Sequence, residues 1–418
     1  MNMGRRVQLS IMMFLEFFIW GAWVVTMGTY LGKGLGFSGD AIGWAYTTQA
    51  WAAIAAPFFV GMIADRFFNA ERVLGIAHIL GGIFLLLVTG ITDPFLYFIV
   101  LLGHTLCYMP TLALVNAVSF SQMEDTEKEF PPIRVFGTIG WIVAGLTITF
   151  LLNKFIEGNV EATDIPLKMA GFASLVMGVY SFTLPKCPPK KRGEKVTFND
   201  VISIDALRLM KDRSFAVFVI SSLLICIPLA FYYAFANLFF NELEWGDVAA
   251  KMTIGQMSEV VFMLIMPFFF ARLGVKKMLL VGMVAWVFRY IFFAYGNVDN
   301  LAFMLYLGIA LHGICYDFFF VTGQIYVDKE APEEVRASAQ GLIALITYGV
   351  GMAIGNALAG RLVNIFAITN EEGIVVSHQW TQIWMIPCVM ALVVAIGFAL
   401  LFKEKPRIKE AAESSEMM

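Results

Sequence analysis

The chain is 418 residues long, 59% of them hydrophobic and 15% charged, with a mean hydropathy of +0.75. Soluble domains carry about 25% charged residues, so water could not solvate a surface this poor in charge, and the solvent must be lipid. The net charge of −3 offers no basic excess for nucleic acid, and the apolar runs are too many for a simple anchor.

The chain opens with Arg5 and Arg6, then runs apolar from Val7 to about Leu31. This start imitates a signal peptide, but the run is long, holds Glu16 and has no small-residue cleavage site, so it is read as a first membrane helix. Hydropathy and punctuation predict an all-α membrane protein of twelve spans, at roughly 7–32, 41–64, 72–91, 94–120, 131–153, 165–184, 214–241, 250–273, 277–295, 300–327, 334–365 and 377–402. The one long polar connection runs from Pro185 to Arg213, through Pro188-Pro189 and Lys190-Lys191-Arg192. It divides the chain into a six-helix half at 1–184, a connecting loop at 185–213, a second six-helix half at 214–402 and a charged tail at 403–418. Segments on the side of the N-terminus hold 22 of the 29 Lys and Arg residues and the opposite side holds five, which places both termini in the cytoplasm. The five cysteines are scattered, with no CxxC, and read as small core residues without disulfide or metal.

Ionisable groups inside spans cost about 2.5–3.5 kcal/mol each on insertion scales, so each needs a reason. The candidates are Glu16, Arg134, Glu259, Arg289 and Asp317. At about 1.5 Å per residue, Glu16, Glu259 and Asp317 lie roughly 14, 13 and 16 Å from the ends of their helices. A carboxylate at such depth must be paired, bathed in cavity water or protonated. One balanced between desolvation and a nearby cation can take up and release a proton. Helical spacing gives these groups polar and aromatic company: Glu16 with Trp20 and Trp23, Arg134 with Thr138 and Trp141, Gln256 with Glu259, and His312 with Tyr316 and Asp317. Such faces suit a small, polar, planar ligand. The bland alternatives are a helix–helix clamp for Glu16, a buried pair of Asp317 with Arg289 or Arg134, snorkelling of Arg134 to the interface, and a hydrogen-bonded core role for His312. His78 and His104 read as isolated structural residues, and Trp20, Trp23 and Trp141 can equally be packing aromatics. Gly137, Gly140 and Gly145, and Gly351, Gly355 and Gly360, have the spacing of close helix contacts in lipid. A membrane-embedded enzyme would need a catalytic constellation, and the chain has no HExxH, no GxSxG and no paired His/Cys set.

Six spans, a basic connection and six more spans resemble the major facilitator superfamily, whose halves rock about a central site. Gly61-Met62-Ile63-Ala64-Asp65-Arg66 resembles its GxxxDR motif, which implies a cytoplasmic-gate role for Asp65 and Arg66. Span 5 lacks the GPxxGG pattern of drug/proton antiporters, which favours symport. Three stretches resemble one family, the bacterial nucleoside:H+ symporters: Tyr108-Met109-Pro110-Thr111-Leu112, Phe130-Pro131-Pro132-Ile133-Arg134-Val135-Phe136-Gly137-Thr138-Ile139-Gly140, and the run from Tyr316-Asp317-Phe318-Phe319 to Gln340-Gly341. The likeness extends over nearly the whole chain.

The resemblance implies import of a nucleoside such as uridine or adenosine with a proton, across the bacterial inner membrane, by a monomer without metal or cofactor. It implies substrate contacts from Arg134, Thr138, Trp141, Gln256, Glu259, Tyr316 and Asp317, and proton coupling through Glu259 or Asp317, with Glu16 a further acid. His312 stands where the family has a tyrosine. Ala230-Phe231-Tyr232-Tyr233 replaces a glutamine and an asparagine of span 7, so Tyr232 and Tyr233 join the expected site. Glu16 stands where a neutral glutamine can occur. The rival expectation is an H+ symporter for a sugar or another small polar solute.

Overall fold

The computed structural model describes residues 1–59, 63–64, 66–189 and 204–404. Its helices, in chain order, are α1 (Met3–Gly34), α2 (Gly39–Phe59), α3 (Ala70–Val88), α4 (Pro94–Phe120), α5 (Pro131–Lys154) and α6 (Ile165–Ser181). After the connection come α7 (Arg213–Glu242), the continuous stretch Val248–Tyr295, then α10 (Ala302–Glu330), α11 (Ser338–Ile365) and α12 (Trp380–Leu401). Val248–Tyr295 is two helices, α8 (248–273) and α9 (275–295), joined at Gly274 with φ +70° and ψ 179°. Only glycine enters that backbone region without strain. The expected three-residue turn is therefore a one-residue corner, tied down by Glu404, whose carboxylate accepts from Val275 N–H at 3.0 Å. A short hairpin of β1 (Ala367–Thr369) and β2 (Val375–His378) joins α11 to α12.

Nine helices among the described residues, with Val248–Tyr295 taken as one, are long and apolar enough to cross a membrane. With the split at Gly274, the shorter apolar α6 and the more polar α2, the twelve helical segments follow the expected spans to within a few residues. Local chemistry fixes the starts. Asp93 caps α4 by accepting from Leu96 N–H at 2.8 Å, with Pro94 in the first turn, and Asp212 caps α7 through Phe215 N–H at 2.9 Å. Parts of the expected connecting loop (190–203) and tail (405–418), and Asp65 of the expected gate, lie outside the described residues. Arg66 is buried.

In the first six helices α1 packs on α5 and α6, α3 on α4 and α6, and α2 on α4. In the second six, α7 packs on α11 and α12, and the α8–α9 pair on α10 and α12. The two groups meet at the end of the bundle away from the described termini. Gly360 of α11 lies on Gly39 and Gly43 of α2. A Cβ at 360 would stand 2.5 Å from the Gly39 carbonyl oxygen and 2.8 Å from Gly43 Cα, so the crossing requires glycine. Beside it, Asp40 accepts from Asn364 Nδ2 at 2.9 Å and from Arg361 Nη1 at 3.2 Å. On the other flank Glu161, in the α5–α6 connection, accepts from Ala249 N–H at 2.8 Å and from the side-chain amides of Asn237 and Asn241 at 2.8 and 3.0 Å. Lys33 at the end of α1 donates to the Asn241 carbonyl at 2.7 Å, and Ala250 N–H to Thr149 Oγ1 at 3.0 Å. These bonds join helices of different groups, so the molecule is held shut at this end.

Candidate functional site

Between the two groups lies a recess bordered by α1, α5, α7 and α8. Its lining includes Trp141, Tyr232, Tyr233, Gln256 and Thr253. Gly21 of α1 lets the Trp141 ring lie against that helix, with ring carbons about 3 Å from where a Cβ would stand. Trp20 meets Trp141 edge-on at 5.5 Å and is itself oriented by a bond from its Nε1 to Gln49 Oε1 at 3.1 Å. Arg134, two turns before Trp141 on the same helix, lays its guanidinium 4.1 Å over the Phe17 ring, and Thr138 lies between them on the sequence.

The acids of the second group stand beyond the tyrosines. Gly313 of α10 packs directly on the backbone of Ser258 and Glu259, and its N–H donates to Ser258 Oγ at 3.0 Å. That close approach sets Glu259 of α8 beside His312 of α10, with Nε2 to Oε2 at 3.9 Å. The His312 ring is stacked on Tyr232 at 5.6 Å and on Tyr316 at 6.0 Å. Tyr316 shares a hydrogen bond with Tyr348 of α11 at 3.0 Å. Asp317 follows, fully buried, and neither carboxylate oxygen has a hydrogen-bond partner among the described residues. It opens a π-helical turn, Asp317–Val321, a local widening frequent at functional sites. Tyr348 lies in a second such turn, Leu345–Gly351.

The structure thus gathers Trp141, Tyr232, Tyr233 and Gln256 at one recess, and Glu259, His312, Tyr316 and Asp317 along one adjoining row. It separates others. Trp23 does not join Trp20 against Trp141. It is buried inside the first group, edge-on to His104 at 5.2 Å. The reason is angular: at 100° per residue Glu16 and Trp23 point within about 20° of each other, while Trp20 is turned about 40° from Glu16, towards Gln49 and Trp141. Glu16 is fully buried with its carboxylate satisfied within its own group, by His78 Nε2 at 2.8 Å and Thr111 Oγ1 at 2.6 Å. This geometry favours the clamp alternative. His78 is consequently not isolated, since its Nδ1 also meets Ser174 Oγ at 3.1 Å. Asp317 pairs with neither arginine considered for it. Arg289 instead contacts His312 Nδ1 at 3.2 Å and lies 3.4 Å over Tyr232. Gln49 and Tyr348 carry no signal in the sequence beyond an amide or a hydroxyl in an otherwise apolar run, and Thr111 stands in the Tyr108–Leu112 stretch without a role of its own there.

All five cysteines are free, and the described residues hold no cluster of three or more His, Cys, Asp or Glu side chains that could bind a metal ion.

Comparison with known proteins gives one answer. The family described as "Nucleoside H+ symporter" matches residues 3–407. The "Putative nucleoside transporter YegT" of Escherichia coli (strain K12) is 42% identical over 404 residues, covering 96% of this chain and 95% of that protein. The "Xanthosine permease" of the same organism is 35% identical over 416 residues, 96% of each chain. Among solved structures, the crystal structure of nucleoside transporter NupG superposes with a TM-score of 0.85 at 32% identity, over 97% of this chain and all of that one. The fold is that of a major facilitator superfamily transporter.

Proposed function

The chain belongs to the nucleoside H+ symporter family, and from that membership we propose that it imports nucleosides with protons across the bacterial inner membrane by alternating access. The observation that carries the reading is the recess at the junction of the two six-helix halves, with Trp141, Tyr232 and Tyr233 around Gln256. Aromatic faces stack on a nucleobase, and an amide meets its donors and acceptors. Arg134, Thr138, Glu259 and His312 supply further hydrogen bonds to base and ribose, and Tyr316 a further ring. The proton rides on Asp317 or Glu259. Of the two, Asp317 has no donor or cation on its oxygens, so a proton is what relieves its burial. Glu16 is a clamp inside the first half. Both termini lie in the cytoplasm, so the closed end faces outward and the molecule stands in the conformer shut to the outside. The halves are 1–184 and 214–402, the carrier works as a monomer, and Asp65 with Arg66 latches the cytoplasmic side.

The test is uptake of radiolabelled uridine, adenosine and xanthosine by proteoliposomes, with and without an inward proton gradient. Saturable uptake that overshoots equilibrium only with the gradient is expected. If folded, inserted protein takes up none of the three, the nucleoside assignment fails, and sugars become the substrates to try.

A further inference from the structure

Arg289 of α9 is wholly buried, and among the described residues no carboxylate pairs with it. Its contacts are instead the Tyr232 ring, 3.4 Å from the guanidinium carbon, and His312 Nδ1, 3.2 Å from Nη1, while Nε and Nη2 have no hydrogen-bond partner. A guanidinium has N–H groups and no lone pair to offer. Its contact with His312 therefore works in one direction only: Arg289 donates, and Nδ1 accepts. The imidazole proton must then sit on Nε2, the nitrogen that faces Glu259 Oε2 across 3.9 Å.

We propose that Arg289 is a positioning residue that holds His312 as its Nε2–H tautomer, so that His312 presents a fixed donor to Glu259 and competes with the nucleobase for that carboxylate. The inference rests on the nucleoside reading only for its second half; the tautomer follows from the geometry alone. At 3.9 Å the donor is too far for a hydrogen bond and near enough to make one with a small turn of the Glu259 side chain. With the site empty, Glu259 turns to His312. With a nucleoside bound, it turns to the N–H edge of the base, and His312 yields it. The groups facing this pair are Arg289 from α9, Tyr232 and Tyr233 from α7, Tyr316 and Asp317 from α10, and the charge of Arg134 from α5. Among the described residues Arg289 alone bonds Nδ1, so removing it frees the ring to take either tautomer or a second proton.

The direct measurement is the 15N spectrum of the imidazoles in protein labelled at histidine and reconstituted in nanodiscs at pH 7.5. The chain has four histidines, and the His312 signals are identified by their loss in His312→Gln. The expected result is protonated Nε2 and unprotonated Nδ1 at His312. The Nδ1–H tautomer or an imidazolium would overturn the proposal, whatever the protein transports. The transport measurement uses Arg289→Met, which removes the donor at similar length, and Arg289→Lys, which keeps one. Arg289→Met should raise the KM for nucleoside roughly five- to tenfold and add a titration to the pH profile of uptake. Arg289→Lys should restore most of the affinity, and Arg289→Met combined with His312→Gln should lose the added titration. An unchanged KM and pH profile in folded Arg289→Met, or an added titration that survives His312→Gln, would sink the positioning role. If the spectrum is as expected and no nucleoside is transported, the tautomer stands and the substrate reading falls.

Discussion

Asp317 and Glu259 are both acids inside spans, but they stand in different company, and replacing them should do different things. Asp317 has no partner on either oxygen, so Asp317→Asn keeps its shape and loses only a site for a proton. Concentrative uptake should fall to the equilibrium level, while exchange of labelled for unlabelled nucleoside continues; loss of exchange as well would point to substrate binding instead. Glu259 stands among rings beside the recess and near His312, so Glu259→Gln should show first as a raised KM, about tenfold for one charged hydrogen bond worth roughly 1.5 kcal/mol or more. Glu16 is different again. Glu16→Ala leaves His78 Nε2 without its partner and removes one of the two acceptors of the Thr111 hydroxyl in a buried site, and should cost about 3 kcal/mol, read as a lower midpoint of thermal unfolding in detergent. Glu16→Gln keeps two hydrogen-bonding atoms and should retain coupled uptake, an outcome that a proton-carrying Glu16 would forbid. These acids were legible in the sequence because a charge in an apolar run is conspicuous. Their partners were not. His78 lies 62 residues from Glu16, Arg289 lies 23 from His312, and nothing in a single sequence says which faces of which helices meet.

At the scale of the helices, twelve spans were readable because lipid demands about 20 apolar residues each and punctuation falls between them. Corners and widenings were not. Gly274 turns the chain in one residue where a short loop was expected, since a positive φ leaves no trace in hydropathy. The π-helical turns at Asp317–Val321 and Leu345–Gly351 are equally silent, because an extra residue per turn changes no composition. The glycine spacing in α11 did signal close packing, and Gly360 supplies it against Gly39 and Gly43. Gly360→Ala places a methyl 2.5 Å from the Gly39 carbonyl oxygen, so the two helices must move apart, and the resulting overpacking costs about 1–3 kcal/mol. That cost falls on the shut conformer alone. A cysteine placed at Ile148, which lines the recess near the closed end, should therefore react several-fold faster with an impermeant thiol reagent added outside. Unaltered labelling would mean that α2 and α11 do not hold the outer side closed.

For the whole molecule, the closed end, which the proposed orientation places outside, should answer to external pH through Glu161. Burial pushes its carboxyl above the ordinary range, against the opposing pull of its bonds from Ala249, Asn241 and Asn237. An outward-open conformer would bathe Glu161 in water and return it to the ordinary value. Below that value the carboxyl is protonated in both conformers and closure meets no penalty. As pH rises through the raised value, the closed form must bury a charge and loses stability relative to the open one. External alkalinisation across this window should raise labelling at position 148, and Glu161→Gln should flatten that dependence; a pH response unchanged in Glu161→Gln would assign it elsewhere.

The closed end is fastened mainly by a carboxylate set against amides and a backbone N–H. Among the described residues the ion pair between the groups there is Arg361 with Asp40, largely open to water, the arginine side chain being 63% exposed. Dissolved salt screens exposed pairs and barely reaches buried dipolar contacts. A carrier closed by opposed charges would loosen in brine; this one should keep its outer face shut over a wide range of ionic strength, and so serve a cell whose surroundings swing from dilute to saline.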